Sequence, residues 1–454
     1  MFTPNNCWKW FALALLPLGC ARYQPMPLNN STVRQGLAAP SPDALRVAAM
    51  QIKHPLLQPV PMDDQNGLTP DQAAVIAVIA NPSLRLARDE RGLASAQLLS
   101  AGILPNPQIN FGENYPYGGA IAGAVTASQV GVSWDVAELI SHDARVRAAK
   151  AGAASVDLDI AWQEWQIAQA ARAAVYDIAS SRDQLTLLET IDAQLAQNLD
   201  VVRSAVQRHD KTLTDLTAAQ AASADASAAV LAQRREVASA RLALNKALGF
   251  APDAQVKIRA DITGGAEAIF PSPDQILAGL ENRRLDLMAL KLGYQSQEES
   301  LRAAVLEQFP KINIGFNRQR DDTNVQSIGF SVTVDLPIFD RNQAEIATQT
   351  ATRQKLFDEY LQRVYEAQCD VFSAGDDLKQ ISIQLQDAEK SLPALRQLAD
   401  SYRTAFGVGN VDVLSYYSAL NDLAQKQLDI LKLKQQFADT AIALGLAAGE
   451  YLPV

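Results

Sequence analysis

The feature that most constrains the fold is a repeat with a spacing of roughly 200 residues. Residues 108–112 (QINFG) match residues 311–315 (KINIG), each directly after a proline, and residues 131–135 (GVSWD) match residues 331–335 (SVTVD). This spacing is far too long for a solenoid repeat. The pattern therefore predicts a duplicated half-protein, in which each half has the order helix, strand, strand, long helix, shorter helix.

The repeated segments alternate between apolar and polar residues, as strands with one apolar face do. Ile328, Phe330, Val332 and Val334, for example, alternate with small polar residues. The predicted strands cover about 107–118, 126–136, 310–320 and 325–335. A length of about ten residues suits a tilted membrane strand, although a soluble hairpin with one buried face is the alternative. Since four strands cannot close a useful pore, membrane strands would require several chains.

A heptad pattern predicts a very long helix in the second half. Its apolar residues step by three and four for about seven heptads, which is typical of a coiled-coil seam. The seam consists of Phe357, Tyr360, Val364, Ala367, Val371, Ala374, Leu378, Ile381, Leu385, Ala388, Leu392, Leu395, Ala399, Tyr402 and Phe406. A helix from about 341 to 406 would be roughly 100 Å long at 1.5 Å per residue. Pro393 is expected to kink it locally.

The lengths of the other helical segments predict the path of the chain. One long helix covers about 139–208, and two shorter helices, at about 212–249 and 274–309, together span a similar distance. The chain is therefore expected to leave a membrane, turn, and return in two pieces. The turns at 207–213 and 406–411 would lie farthest from the membrane.

The N-terminus has the composition of an export signal, which we assign to residues 1–20. Lys9 precedes a short apolar run, and Gly19-Cys20 resembles the end of a bacterial lipobox, with Cys20 as the lipidated residue. Ordinary signal cleavage at a small-x-small site is the alternative. The proline-rich stretch 21–66 predicts an extended linker. No disulfide framework is expected, because Cys369 would have no partner in the mature chain.

Composition and motifs exclude several classes of function. The formal net charge of −10 disfavours nucleic acid as a partner. The three histidines, His54, His142 and His209, form no catalytic arrangement, and no cluster has the spacing of metal ligands. Glycine-rich phosphate loops are missing as well. The sequence therefore predicts neither an enzyme nor a cofactor or metal site.

Four motifs, in their order along the chain and with the duplication, resemble the TolC family of outer-membrane factors. They are Asn81-Pro82, Leu104-Pro105-Asn106-Pro107, the run 336–343 (LPIFDRNQ) and Asp412-Val413-Leu414. The run 336–343 looks most like the branch of cobalt–zinc–cadmium efflux channels. The resemblance covers nearly all of the mature chain and divides it into two efflux-protein repeats, 67–265 and 266–454.

The resemblance implies a mainly α fold with a β-barrel portion. In this family three copies form one helical tunnel and one twelve-stranded transmembrane barrel, with four strands from each protomer. The implied function is a passive duct in the bacterial outer membrane that extends into the periplasm. It would receive small solutes or metal ions from an inner-membrane transporter through a periplasmic adaptor. The alternatives are the duct of a type I protein secretion system and a structural coiled-coil lipoprotein of the envelope.

The resemblance also implies roles for residues near the two distant turns. Many members close the periplasmic end with acidic residues just beyond these turns, and Asp412 and Asp215 are expected to be that gate, at corresponding places in the two halves. The alternative is that both are ordinary carboxylates at helix starts, which complement the helix dipoles. Adaptor contact is expected at Lys211, Gly407, Val408 and Gly409.

Overall fold

The computed structural model describes residues 22–62, 67–119, 122–260 and 270–452. It divides into two units, Met1–Pro40 and Ser41–Val454. The first unit contains one helix, α1 (Asn30–Leu37), among its described residues. Cys20 lies outside the described residues, so its lipidation stays a prediction. None of the helices in the described ranges is both long and apolar enough to cross a bilayer.

The prediction of an extended linker over 21–66 is wrong at two places, which are helical. One is α1, where the side chain of Asn29 accepts hydrogen bonds from the backbone of Ser31 and Thr32. The other is α2 (Pro42–Met50), where Ser41 caps the first turn and Pro42 occupies its first position. Proline supplies a helical φ at that position and lacks only an N–H that would have no helical partner. The prolines therefore start a helix here as well as separating helices.

The second unit begins with α2 and continues with four strands and nine further helices among its described residues. In chain order these are α3 (Pro70–Ala80), α4 (Pro82–Gly102), β1 (Gln108–Asn114), β2 (Ala127–Asp135), α5 (Glu138–Gln207), α6 (Leu213–Leu248), α7 (Pro273–Leu277), α8 (Leu280–Arg283), α9 (Leu285–Leu306), β3 (Lys311–Arg320), β4 (Gln326–Asp335), α10 (Gln343–Gly407) and α11 (Val413–Ala448). The expected order of a half, with a strand pair before each long helix, is present twice.

The helix expected over 274–309 is broken into α7, α8 and α9. Gly279 lies between the first two with φ 81°, a left-handed conformation that a continuing helix does not have. Strand β1 is also shorter than expected and ends at Asn114 instead of about residue 118. Pro116 follows closely and has no N–H to donate to a neighbouring strand.

The four strands form one antiparallel sheet in the order β1-β2-β3-β4. Its register brings apolar residues into the same cross-strand rows. One row consists of Ile109, Val132, Phe316 and Phe330. Glycines and small polar residues such as Gly131, Gly315 and Ser331 lie in the intervening rows, so the sheet has one apolar and one polar face.

The two long helices lie side by side with their shorter partners. Helix α5 has 70 residues and α10 has 65, which corresponds to lengths of about 100 Å. Helix α5 packs against α6 and α9, and α10 packs against α11 and α9. Every buried residue that α10 contributes belongs to the predicted heptad seam, from Ala367 to Ala399. The seam is thus confirmed as the inward face of the helix.

The two halves place their main cores at equivalent levels. In the first half, Ala77 of α3, Val175 of α5 and Leu248 of α6 belong to one buried cluster. In the second half, Val371 of α10 and Phe437 of α11 belong to the corresponding one. Burial of such side chains is worth about 1.5–3 kcal/mol each and holds the returning helices against the long ones.

Both shorter helices end in the same way. Gly249 follows α6 with φ 72°, and Gly449 follows α11 with φ 66°. The terminal carbonyls of α6 accept from Asn81, whose Nδ2 lies 2.9 Å from the oxygen of Ala247. The end of α11 accepts from Arg284, whose Nη1 lies 3.3 Å from the oxygen of Ala447. We call these two contacts the joints: the first connects the end of α6 to Asn81, just before α4, and the second connects the end of α11 to Arg284, just before α9.

Candidate functional site

The first distant turn connects α5 to α6. His209 adopts a left-handed conformation with φ 65°, and the Asp210 N–H donates to the Ala205 carbonyl over 2.8 Å. This bond closes the last turn of α5 in the manner of a glycine-type helix end. The Arg208 guanidinium is 3.1 Å from the Asp210 carboxylate, and both side chains are exposed. The turn is therefore built from local contacts and leaves its side chains available.

The second distant turn, from α10 to α11, repeats this backbone with other side chains. Gly409 takes the left-handed position with φ 80°, and the Asn410 N–H donates to the Ala405 carbonyl over 2.8 Å. Glycine adopts this conformation at no steric cost, unlike the histidine of the first turn. Val408 has 68% of its surface exposed at the end of α10. The second turn is thus smaller and more apolar than the first.

The two predicted gate carboxylates are both bonded to the start of a helix. Asp215 accepts from the Thr212 N–H at 2.9 Å, while Thr212 accepts from the Asp215 N–H at 3.1 Å, which is a capping box. Asp412 accepts from the Ser415 N–H at 2.9 Å and from the Ser415 hydroxyl at 2.8 Å. The backbone N–H of Ser415 lowers the pKa of Asp412 below its ordinary value. Both carboxylates therefore have a structural task.

The expectation that Asp215 and Asp412 are counterparts is wrong by one helical turn. Thr212 and Asp412 each immediately precede a helix of 36 residues. The counterpart of Asp412 is thus Thr212, and the counterpart of Asp215 is Ser415. The halves have exchanged acid and hydroxyl within the same cap, because either side chain accepts a hydrogen bond from the backbone of the first turn.

One buried cluster joins the two turns. Leu195 and Val202 of α5 contact Val413 and Tyr416 of α11, together with Ala219 of α6. The Phe406 and Tyr416 rings stack at a centroid distance of 5.0 Å. Sequence reasoning placed Phe406 in the seam but did not identify Tyr416. Its position three residues into α11, on the same face as Val413, was the available signal.

The residues predicted for adaptor contact lie on the outside of this cluster. The Lys211 ammonium is 4.9 Å from the centroid of the Phe406 ring, which links the first turn to the end of α10. Gly407 is the last residue of α10, and Val408 and Gly409 follow it in the turn. The structure therefore brings all four residues to the same end of the helices and leaves the three second-half residues exposed.

The sheet has two open edges. Among the described residues, β1 pairs only with β2, and β4 pairs only with β3. Its apolar face is also exposed, with Phe111, Ile328 and Phe330 each at least 70% accessible. Unpaired edges and an uncovered apolar face are costly in water. Additional strands and an apolar surrounding would relieve both costs.

A pair of carboxylates between α5 and α11 was missed by the sequence reasoning. Burial, together with the smaller effect of the neighbouring Asp177 carboxylate, raises the pKa of Asp439 to about 7. Burial likewise raises the pKa of Asp177, whose Oδ1 accepts from the Gln435 amide at 2.6 Å. One oxygen of Asp439 is buried without a hydrogen-bond partner in the described structure. No group of residues suited to hold a metal ion occurs in the described ranges.

Comparison with known proteins gives concordant results. Residues 277–450 match the family model of outer membrane efflux proteins. The chain is 20% identical over 393 residues to the cobalt-zinc-cadmium resistance protein CzcC of Cupriavidus metallidurans, which covers 86% of this chain and 92% of the relative. The fold is shared with CusC (TM-score 0.71, 18% identity, 91% of this chain and 99% of the other). It is also shared with the MtrE outer membrane channel of Neisseria gonorrhoeae (TM-score 0.69, 17% identity, 88% and 97%).

The duplicated helices, the four-stranded sheet and these matches define the class of the protein. Residues 277–450 carry the sequence signature of the outer membrane efflux proteins, and the fold over most of the chain is that of solved outer-membrane channels. The cobalt-zinc-cadmium resistance protein CzcC is similar to this chain over most of the length of both. The expected mainly α fold with a β portion is confirmed, and the match over residues 277–450 agrees with the expected family.

Proposed function

We propose that this chain is the outer-membrane channel of a tripartite efflux system and works as a homotrimer. The open sheet is the observation that carries the proposal. Three copies would pair each β1 with a neighbouring β4 and close twelve strands into a barrel without edges. The apolar rows would then face lipid, and the long helices would continue the duct into the periplasm.

The duct would transport small solutes or metal ions without chemistry of its own. Metal ions are supported as cargo by the similarity to the cobalt-zinc-cadmium resistance protein. A passive channel needs no binding site for its cargo. Energy would come from an inner-membrane transporter, connected through a periplasmic adaptor. Lipidation of Cys20 would add an anchor to the barrel.

The distant turns are the proposed site of gating and adaptor contact. Threefold assembly would bring three copies of Asp215 and three of Asp412 to the periplasmic end. Carboxylates at a narrow aperture favour cations over anions. Lys211, Gly407, Val408 and Gly409 would contact the adaptor, since they lie at the same end and three of them are exposed.

The barrel is tested by placing one charge on either face of β4. Val332 is exposed on the apolar face, and Ser331 lies on the polar face opposite Gly315. Val332→Arg should destabilise the trimer by about 2–4 kcal/mol, because lipid cannot solvate the guanidinium. Ser331→Arg is the matched control and should be tolerated better. Native mass spectrometry in detergent would give the trimer yield, and planar bilayers would give the conductance.

Equal trimer yields from both variants would show that the apolar face is not the lipid face. A wild-type protein that stays monomeric in detergent and conducts no current would refute the channel itself.

A further inference from the structure

Two arginines interrupt the apolar face near its loop end. Arg318 lies in the cross-strand row with Val130 and Ile328, and Arg320 lies in the next row on the same face, between Ser128 and Gln326. Residues two apart on a strand point to the same side. The apolar rows of the sheet thus end in two cations that share their face, about 7 Å apart along the strand.

Neither guanidinium is neutralised within the protomer. Arg318 Nη2 donates to Gln326 Oε1 at 2.8 Å, and Arg320 Nη2 donates to the Thr126 carbonyl at 3.0 Å. Within the described ranges, no carboxylate lies within ion-pair distance of either arginine. Arg320 Nε is buried and has no acceptor there. Several charged N–H donors are therefore left to bind an anion.

The space around the two arginines is a shallow cleft of about 320 Å³. Phe111, Val130, Arg318, Arg320 and Gln326 contribute to its walls, which are apolar toward the middle of the sheet and polar toward the loops. Strand β3 lies inside the sheet, so the pairing of β1 with β4 in an assembly would not place a new strand beside it. The cleft stays open on the lipid side.

We propose that Arg318 and Arg320 bind the phosphate group of an anionic lipid whose acyl chains lie along the apolar rows below them. The proposal rests on the channel function, which puts this face against lipid. Arginine binds phosphate oxygens through paired, charge-assisted hydrogen bonds. Phe316 and Phe330, which are exposed nearer the middle of the sheet, supply an apolar surface for the chains. Charge and apolar area are thus arranged in the order of a lipid molecule.

Native mass spectrometry of the detergent-purified trimer tests the proposal. The trimer is mixed with equal amounts of dioleoylphosphatidic acid, which carries a phosphate monoester, and dioleoylphosphatidylcholine, which has the same chains and a zwitterionic head. Wild-type protein should retain phosphatidic acid preferentially, at up to one molecule per protomer. The double variant R318Q/R320Q should lower this retention by about tenfold or more, as expected for lost charge-assisted hydrogen bonds.

The matched control is Lys311→Gln, at the other end of β3 and on its polar face, which should retain the lipid as the wild type does. Equal retention of the two lipids by wild-type protein, or unchanged retention by R318Q/R320Q, would overturn the proposal. Release of the lipid by an equal concentration of inorganic phosphate would also overturn it, because the site would then recognise phosphate without lipid. The trimer mass and the conductance are read on the same samples, so failure of the channel is recognised separately.

Discussion

The two halves of the chain repeat one backbone and fasten it with different side chains. At the joint, the first half uses neutral Asn81 against the end of α6, whereas the second half uses Arg284 against the end of α11. At the tip, the first half begins its returning helix with Thr212, and the second with Asp412. The difference shows that the hydrogen-bonding requirement of a helix end is fixed, while the group that meets it is free to vary.

Charge is the main distinction between the joints. Arg284 is 4% exposed, forms an ion pair of 2.7 Å with Asp286, and lies 4.8 Å from the centroid of a Trp162 ring. Asn81 makes neutral hydrogen bonds only. The second joint is therefore more sensitive to removal of one partner, because a buried charge would remain.

The largest expected change in the free energy of unfolding comes from removing the side chains that form the two joints. Arg284→Ala should lower the free energy of unfolding by about 3–5 kcal/mol, since it leaves the Asp286 carboxylate buried and unpaired. Asn81→Ala should cost about 1–2 kcal/mol, the value of a helix cap and one hydrogen bond. Urea titration of the detergent-solubilised trimer, followed by circular dichroism, would measure both.

The double variant with Arg284→Ala and Asp286→Ala is the control for charge. It should recover part of the loss, because no unpaired carboxylate remains. If Asn81→Ala proved as costly as Arg284→Ala, the asymmetry between the joints would be disproved.

The glycines at the joints offer a second, smaller contrast. A Cβ on Gly249 would lie 2.7 Å from both the Ala80 carbonyl oxygen and the Asn81 Cα, which are backbone atoms. On Gly449 the nearest atom would be the Arg284 Cγ at 2.8 Å, and the nearest backbone atom, the Arg284 Cα, would be farther away at 3.0 Å. Gly249→Ala should therefore destabilise by about 2–3 kcal/mol and Gly449→Ala by less.

The control for the backbone conformation alone is Gly279→Ala. Gly279 has a similar φ of 81°, and nothing lies within 4 Å of a Cβ there, so only the cost of the left-handed conformation, about 1–2 kcal/mol, is expected. Thermal unfolding midpoints would be measured for all three glycine variants. An equal loss of stability for Gly249→Ala and Gly279→Ala would mean that the close approach of Gly249 to the backbone of Ala80 and Asn81 has no energetic role.

Sequence patterns predicted the parts of this molecule that follow from periodicity. The strand alternation and the heptad seam report directly which side chains are buried or share a face, and the buried residues of α10 agree. Local capping was harder to predict. Asn29 and Ser41 each nucleate a short helix within proline-rich sequence whose composition indicates an extended chain.

The residues beside the two distant turns were also hard to predict individually. Matching acid to acid between the halves selected Asp215, whereas the backbone places Asp215 opposite Ser415. Sequence alone does not distinguish the residue before a helix from the residue three positions into it, because the same side chains serve both positions of a cap. The half-buried pair of Asp177 and Asp439 was missed, because no sequence pattern separates these residues from solvated carboxylates.

The third prediction concerns this pair, which only the second returning helix possesses. The folded protein holds a proton on Asp439 up to a pH of about 7, whereas an unfolded aspartate loses it near pH 4. Between these values the folded state binds more protons, so stability should fall as the pH rises through this window. Asp439→Asn should flatten the dependence and stabilise by about 1–2 kcal/mol at pH 8, allowing for partial exposure.

Unfolding midpoints at pH 5 and pH 8, for wild type and Asp439→Asn, would measure this effect. Ser239→Asn, at the equivalent position of α6, is the control and should leave the pH dependence unchanged. A wild-type protein equally stable at both pH values would contradict the raised pKa.

The smallest effect is expected at the tip, where charge and capping are separable. Asp215→Ser with Asp412→Ser removes both carboxylates and keeps hydroxyl acceptors at the same positions. The cation-to-anion permeability ratio should fall by about two- to fivefold, as expected for charges that interact through water. Reversal potentials in single-channel recordings would measure it. Asp412→Ala, which also loses the cap, should cost about 1 kcal/mol of stability in addition.

Unchanged selectivity in the double serine variant would assign the carboxylates to capping alone. The single variants then test the exchange of positions between the halves. Asp215→Ser leaves the N-cap residue Thr212 in place, whereas Asp412→Ser replaces the N-cap residue of α11 itself.

The open edges of the sheet have a consequence for the life of the protein before assembly. Before the proposed assembly, a protomer carries two unpaired strand edges and an uncovered apolar face, and any similar edge nearby is a competing partner. Assembly of the proposed trimer would require the encounter of three chains, so its rate would depend steeply on protomer concentration, whereas capture by a wrong edge needs only one encounter. Production of this channel should therefore benefit from rapid delivery to the membrane and suffer from slow, dilute release.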